Sequence, residues 1–258
     1  MACSTMARTA SVGRMGGLAG WRALHLEADV TQTGAVRFDV DGTHAVSGLL
    51  HVPEKAVACY VVAHGAGAGM THPFMAAVAD GLGERRIATL RYQFPSMEQG
   101  LRRPDRPALA HATVRAAIAA AARLAPSLPL VAGGKSFGGR MTSQAQAEAP
   151  LPGVRGLVFL GFPLHPASKP SDDRAKHLSE VRIPMLFLQG SRDTLANPQL
   201  LVPLVERLGD TATLRPVQDA DHSFHVPARS GRTDGQVLAE VLDALATWVE
   251  PVARRDID

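Results

Sequence analysis

Cysteine is scarce in this chain of 258 residues: Cys3 and Cys59 are the only two, too few for a disulfide framework. Cys59 lies inside an apolar run and reads as a small core residue, while Cys3 falls in an N-terminal tail. Lysine is rare as well, with four residues against 23 arginines, and the net charge is only +3. No basic run, zinc-ligand spacing or aromatic-interleaved basic platform occurs, which argues against a nucleic-acid partner and a structural metal. No uninterrupted apolar stretch approaches the roughly 18 residues of a membrane span. Acid is missing altogether from the first 26 residues, which carry Arg8, Arg14 and Arg22 among Ser, Thr, Ala and Gly. That composition is like a transit peptide and lacks the apolar h-region of a secretory signal, and Met6 and Met15 offer later starts. The expectation is a disordered extension over 1–26, one domain over 27–258, and a cytoplasmic protein with a small-molecule partner.

What the chain does contain is organised around Leu128 to Arg140, L-P-L-V-A-G-G-K-S-F-G-G-R. Leu128 to Ala132 is a short apolar run of the kind that forms a strand covered on both faces. A helix-like stretch follows over Arg140 to Glu148, so Gly134-Lys135-Ser136-Phe137-Gly138 is G-x-S-x-G set between strand and helix. Such a turn holds a serine in a strained conformation with its hydroxyl exposed, and flanking glycines let strand and helix approach. A phosphate-binding loop ending in Gly134-Lys135-Ser136 would need glycine where Pro129 stands, which rules that reading out.

The remaining pattern alternates strands and helices. Ala35 to Val40 and Ala45 to Val52 flank Asp41-Gly42 as an antiparallel edge pair. Val57 to Ala63, Ile87 to Arg91, Val154 to Gly161, Pro184 to Gly190 and Ala212 to Val217 read as further strands. Helices are expected near Pro73 to Leu82, Ala108 to Leu124, Leu200 to Leu208 and Gln236 to Val249. The implied fold class is α/β, a doubly wound and mostly parallel sheet with helices on both faces, and ligands bind beyond the C-terminal strand ends of such a sheet.

A serine hydroxyl needs a general base, and the base needs an orienting acid. Asp193 follows the strand ending at Gly190, and His222 follows the strand ending at Val217. Serine, acid and base thus come in the order 136, 193, 222, each just past an expected strand. His225 competes for the base, Asp219 and Asp221 for its orientation, and Asp193 could instead cap the next helix. Oxyanion donors are expected from the backbone N–H of Phe137 and from the loop His64-Gly65-Ala66-Gly67, with Ala66 first and Gly67 second. A dinucleotide site in that loop would require a small residue at Met70, and Arg91 stands where its acid is expected. An arginine suits a 2′-phosphate, yet that reading leaves the three catalytic placements unexplained.

With these residues in place, the chain resembles the α/β-hydrolase superfamily from about residue 35 to 250, in the layout of its small cap-less, dienelactone-hydrolase-like members. Dienelactone hydrolase itself uses a cysteine where this chain has Ser136. H-G-A-G-A-G, R-Y-Q-F-P, G-G-K-S-F-G-G-R and G-F-P-L-H-P look like one family of predicted hydrolases. That family also includes a subunit of a eukaryotic histone-acetyltransferase complex, which supplies the rival reading of a scaffold without turnover. The resemblance implies a serine hydrolase acting by an acyl-enzyme on a carboxylester, thioester or lactone, without metal or organic cofactor. Residues 162–183 are too few for a large lid, so an open pocket is expected, rimmed by Tyr92 to Pro107 and Phe162 to Pro170. His165, Arg91 and Phe162 are candidate substrate contacts; Phe94, Met97 and Phe162 offer either an apolar wall or core, and Arg102, Arg103 and Arg106 either an attraction for anions or solvated surface.

Overall fold

The computed structural model describes residues 32–101 and 103–254. The expected extension over 1–26 and Arg102 therefore lie outside the described residues. Eight strands form one sheet in the order β1-β2-β4-β3-β5-β6-β7-β8. They are β1 Gln32–Asp39, β2 Ala45–Val52, β3 Ala58–Ala63, β4 Ile87–Tyr92, β5 Leu130–Lys135, β6 Val154–Leu160, β7 Met185–Gly190 and β8 Ala212–Val217. β1 and β2 are antiparallel, β2 runs antiparallel to β4, and every other pair is parallel.

Period-two alternation divides the core in two. In β3, Cys59, Val61 and Ala63 face one layer, and Ala58, Tyr60 and Val62 face the other. The first layer is closed by α3 (Pro107–Leu124), α4 (Phe137–Glu148) and α5 (Pro198–Leu208). The second is closed by α1 (Pro73–Glu84) and α6 (Asp234–Ala253). α3 lies close to the sheet because Ala110, Ala117, Ala120 and Ala121 bury almost no bulk. α6 begins with a capping box in which Thr233 and Gln236 satisfy each other's backbone N–H groups. Among the described residues, no helix is long and apolar enough to cross a membrane.

Two expectations change. β5 runs on through Gly133 and Gly134 to Lys135, although glycine pairs read as strand breakers. Here they pair with β3 and β6 on both sides, in conformations of φ 146° and 151° that only glycine adopts without strain. The loop after β4 also contains a single helical turn, α2 (Pro95–Glu98), begun by Pro95 at its first position. The connection from β6 to β7 carries a 3-10 helix at Asp173–Glu180 and, as expected from its length, no inserted lid.

The chain leaves β3 toward one sheet edge and later returns to lay β5 on β3's other side. Their carboxyl ends flank the point where the winding reverses, where crevices form in such sheets.

Candidate active site

Ser136 follows β5 directly and stands at the N-cap of α4, with φ 50° and ψ −115°. A side chain at positive φ is strained by about 1–3 kcal/mol, and that strain lifts the hydroxyl clear of strand and helix. The turn is tight enough that a Cβ on Gly138 would stand 2.6 Å from both the Ala63 Cβ and the His64 carbonyl oxygen.

His222 meets both partners across this turn. Its Nε2 lies 2.9 Å from Ser136 Oγ, and its Nδ1 lies 2.7 Å from Asp193 Oδ2. A carboxylate can only accept, so Nδ1 carries the proton and Nε2 presents a lone pair to the serine hydroxyl. Asp193 is almost fully buried and has further donors: the Leu195 N–H at 2.8 Å on Oδ1, and Gln189 Nε2 on Oδ2. Gln189 is itself fixed, because its Oε1 accepts the Phe162 N–H at 2.8 Å. Gln189 belongs to no catalytic motif in the sequence. Its signal was an amide closing an otherwise apolar strand, M-L-F-L-Q-G.

The competing assignments separate cleanly. His225 is exposed and pairs with Asp234 at 2.9 Å, a contact that raises its pKa. Asp221 shapes the loop by accepting the Ser223 N–H at 2.7 Å and the His225 N–H at 3.0 Å. Asp219 has φ 61° and donates its N–H to Ser191 Oγ at 2.9 Å. Asp221→Ala is therefore expected to loosen this loop, with a stability loss of about 1 kcal/mol for an unsupported turn in a denaturant titration.

The loop after β3 is equally built. Burial pushes the His64 pKa down, and its neutral ring is bonded on both sides: Nδ1 at 2.8 Å from the Gly65 carbonyl, Nε2 accepting the Phe94 N–H at 3.1 Å. Gln93 accepts the Met70 N–H at 2.8 Å, and Arg91 donates to the Met70 carbonyl at 3.2 Å. Ala66, Gly67 and Phe137 line a small hollow with His64, Phe94, Ser96, Met97 and Pro104. Among the described residues, no protein acceptor takes the backbone N–H of Ala66, Gly67 or Phe137.

Three expected substrate contacts are placed otherwise. Phe162 is fully buried and packs on Phe159 and Phe187, so it belongs to the core and not to an exposed rim. His165 is 2% exposed with both ring nitrogens occupied, Nδ1 near the Pro166 carbonyl at 2.9 Å and Nε2 accepting the Asn197 N–H at 2.8 Å. It holds the β6–β7 connection to the segment after Asp193 and has no ring nitrogen left for a ligand. Arg91 is partly buried and fastens Met70 as above. Phe94, itself buried in the core, and Met97 line the small hollow beside Ala66 and Phe137, while Arg103 and Arg106 stand exposed in solvent. Cys59 is wholly buried, and its thiol is pushed up to about 12. No group of three or more metal-ligating side chains occurs among the described residues.

A serine on a strand–turn–helix elbow, facing histidine and aspartate from later loops of a doubly wound sheet, defines the α/β-hydrolase architecture. Residues 56–250 match the family described as alpha/beta hydrolase domain, and the chain belongs to that family. Its fold is similar to dienelactone hydrolase from Anabaena variabilis, at 23% identity over 87% of this chain and 99% of that one, TM-score 0.69. It is also similar to an α/β serine hydrolase without lid from Xanthomonas campestris, at 21% identity over 88% and 97% of the two chains, TM-score 0.66. The esterase domain of a Rhodothermus marinus protein matches at 17% identity over 85% and 98%, TM-score 0.66.

Proposed function

We propose that the protein is a serine hydrolase that cleaves small ester-like substrates, carboxylesters, thioesters or lactones, through an acyl-enzyme. The observation that carries this reading is the unbroken relay Ser136–His222–Asp193, with links of 2.9 and 2.7 Å. His222 Nε2 takes the serine proton as Oγ attacks the carbonyl carbon, and the imidazolium then gives that proton to the leaving oxygen or sulfur. Water repeats the sequence on the acyl-enzyme and frees the acid. The N–H groups of Phe137 and Ala66, with Gly67 as the alternative to Ala66, receive the negative charge that develops on the carbonyl oxygen. Each such donor contributes ~3 kcal/mol to lowering the barrier. The short β6–β7 connection leaves the serine open to solvent-borne substrates. The reading needs neither metal nor organic cofactor, and it places a small-molecule substrate as the partner of a cytoplasmic enzyme.

Asp193→Asn is expected to keep the fold and reduce kcat about 10⁴-fold, because an amide nitrogen facing Nδ1 selects the tautomer that cannot accept from Ser136. Steady-state rates beside a circular dichroism spectrum check this.

Covalent labelling tests the reading as a whole. A fluorophosphonate probe should add once per chain by intact mass, and Ser136→Ala and His222→Ala should each abolish the addition. A folded protein that takes up no probe would instead be a hydrolase-shaped scaffold, and partner capture would follow.

A further inference from the structure

Lys135 occupies the variable position before the serine of G-x-S-x-G, and its side chain does not run to solvent. Its Cγ passes 3.6 Å from where a Cβ would stand on Gly65, in the loop after β3. Its ammonium lies 2.9 Å from the corresponding position on Gly161, just past the end of β6, so a Cβ there would force the ammonium to shift. The ammonium then donates to the backbone carbonyl of His222 and lies 5.5 Å from the Phe224 ring centroid. A single side chain from the nucleophile's strand thus reaches the loop after β3, the end of β6 and the loop of the base.

We infer that Lys135 is a positioning residue that pins the His222 backbone to the nucleophile strand, so that the imidazole stays between Ser136 and Asp193. This rests on the hydrolase reading above and adds to it a residue that touches neither substrate nor reacting atoms.

The energetics separate this role from a merely structural one. Among the described residues, no carboxylate lies within 4 Å of the ammonium, although Asp193 and Asp221 attract it from further away. Burial is the larger influence and pulls the Lys135 pKa down from 10.5 to about 8. A proton held less tightly in the folded state than in the unfolded one costs stability wherever the unfolded chain still binds it. The cost is fully present below about pH 8 and is relieved as pH rises toward 10.5. The ammonium therefore lowers stability at neutral pH while holding the base loop. A residue kept only for packing has no reason to be charged there.

Lys135→Met retains the apolar stem and deletes the charge. Three readouts decide. On a p-nitrophenyl ester, kcat should fall roughly tenfold to a hundredfold with KM within about threefold, the response to a displaced catalytic group. The denaturation midpoint at pH 7 should stay level or rise, and the gain in stability expected of the unaltered protein between pH 8 and 10 should shrink. In proton NMR, the far-downfield resonance of the His222 Nδ1 proton, assigned by its loss in His222→Ala, should broaden or vanish in Lys135→Met. An unchanged resonance, or kcat within threefold of the unaltered enzyme, overturns the proposal. So does a loss of kcat that tracks a matching loss of stability. The resonance is read without turnover, so a protein that binds no fluorophosphonate would sink the hydrolase reading while the clamp on His222 is still decided.

Discussion

Ser136→Ala is expected to lower kcat on a short-chain p-nitrophenyl ester by on the order of 10⁴-fold or more. The residual rate would be that of oxyanion donors and binding acting on water alone. The reason is geometric. Ser136 Oγ is the atom that His222 Nε2 addresses at 2.9 Å, and the imidazole is already committed on its far side to Asp193. His222→Ala should cost about as much, and the double variant no more than either, since each single change disables the same proton transfer. His225→Ala is the control, because that ring is exposed and bonded to Asp234, and its rate should stay within about twofold. Steady-state kinetics on the four proteins check this. A Ser136→Ala protein retaining a tenth of the activity, or a double variant far worse than the singles, would remove the shared mechanism.

The sequence carried the fold and the three meeting side chains because both depend on local signals. Strands were marked by apolar runs, and Asp193 and His222 were marked by following strands in the order the serine demanded. What it did not carry depends on where distant segments come to rest. Phe162 and His165 follow β6 in a Pro-rich segment and read as a rim. Their burial arises only when Phe187 of β7 and Asn197 arrive beside them. Lys135 carried no expectation beyond its place in G-x-S-x-G, because nothing local says that a carbonyl 87 residues away will lie over its ammonium. Gly133 and Gly134 read as a turn, since the reason they are strand, pairing on both sides, lies in β3 and β6.

That pairing gives the second large effect. At φ near 150° the hydrogen replacing the usual side chain lies in the plane of the sheet, so a methyl group has no free face to occupy. A Cβ on Gly133 would run into the Val158 carbonyl of β6, and one on Gly134 into the Ala63 carbonyl of β3. Neither neighbour is a flexible side-chain end. Both are central-strand backbone, so relief requires separating the sheet at its switch point. Gly133→Ala and Gly134→Ala are each expected to cost about 3 kcal/mol or more, placing them with strained-backbone and overpacked changes. At roughly 2–4 °C per kcal/mol for a domain of this size, melting should fall by about 6 °C at the least. Gly34→Ala in edge strand β1 meets nothing within 4 Å and carries no positive φ, so it should shift melting by no more than a degree or two. Thermal denaturation of the three variants compares them directly. If Gly133→Ala melted with Gly34→Ala, the strain would not be where the backbone puts it. The elbow would then be free to relax, and its exposed serine would need another cause. If it collapses as expected, the two glycines act at one remove from catalysis: they let β5 run flush between its neighbours until Lys135, so that the chain must turn sharply at Ser136.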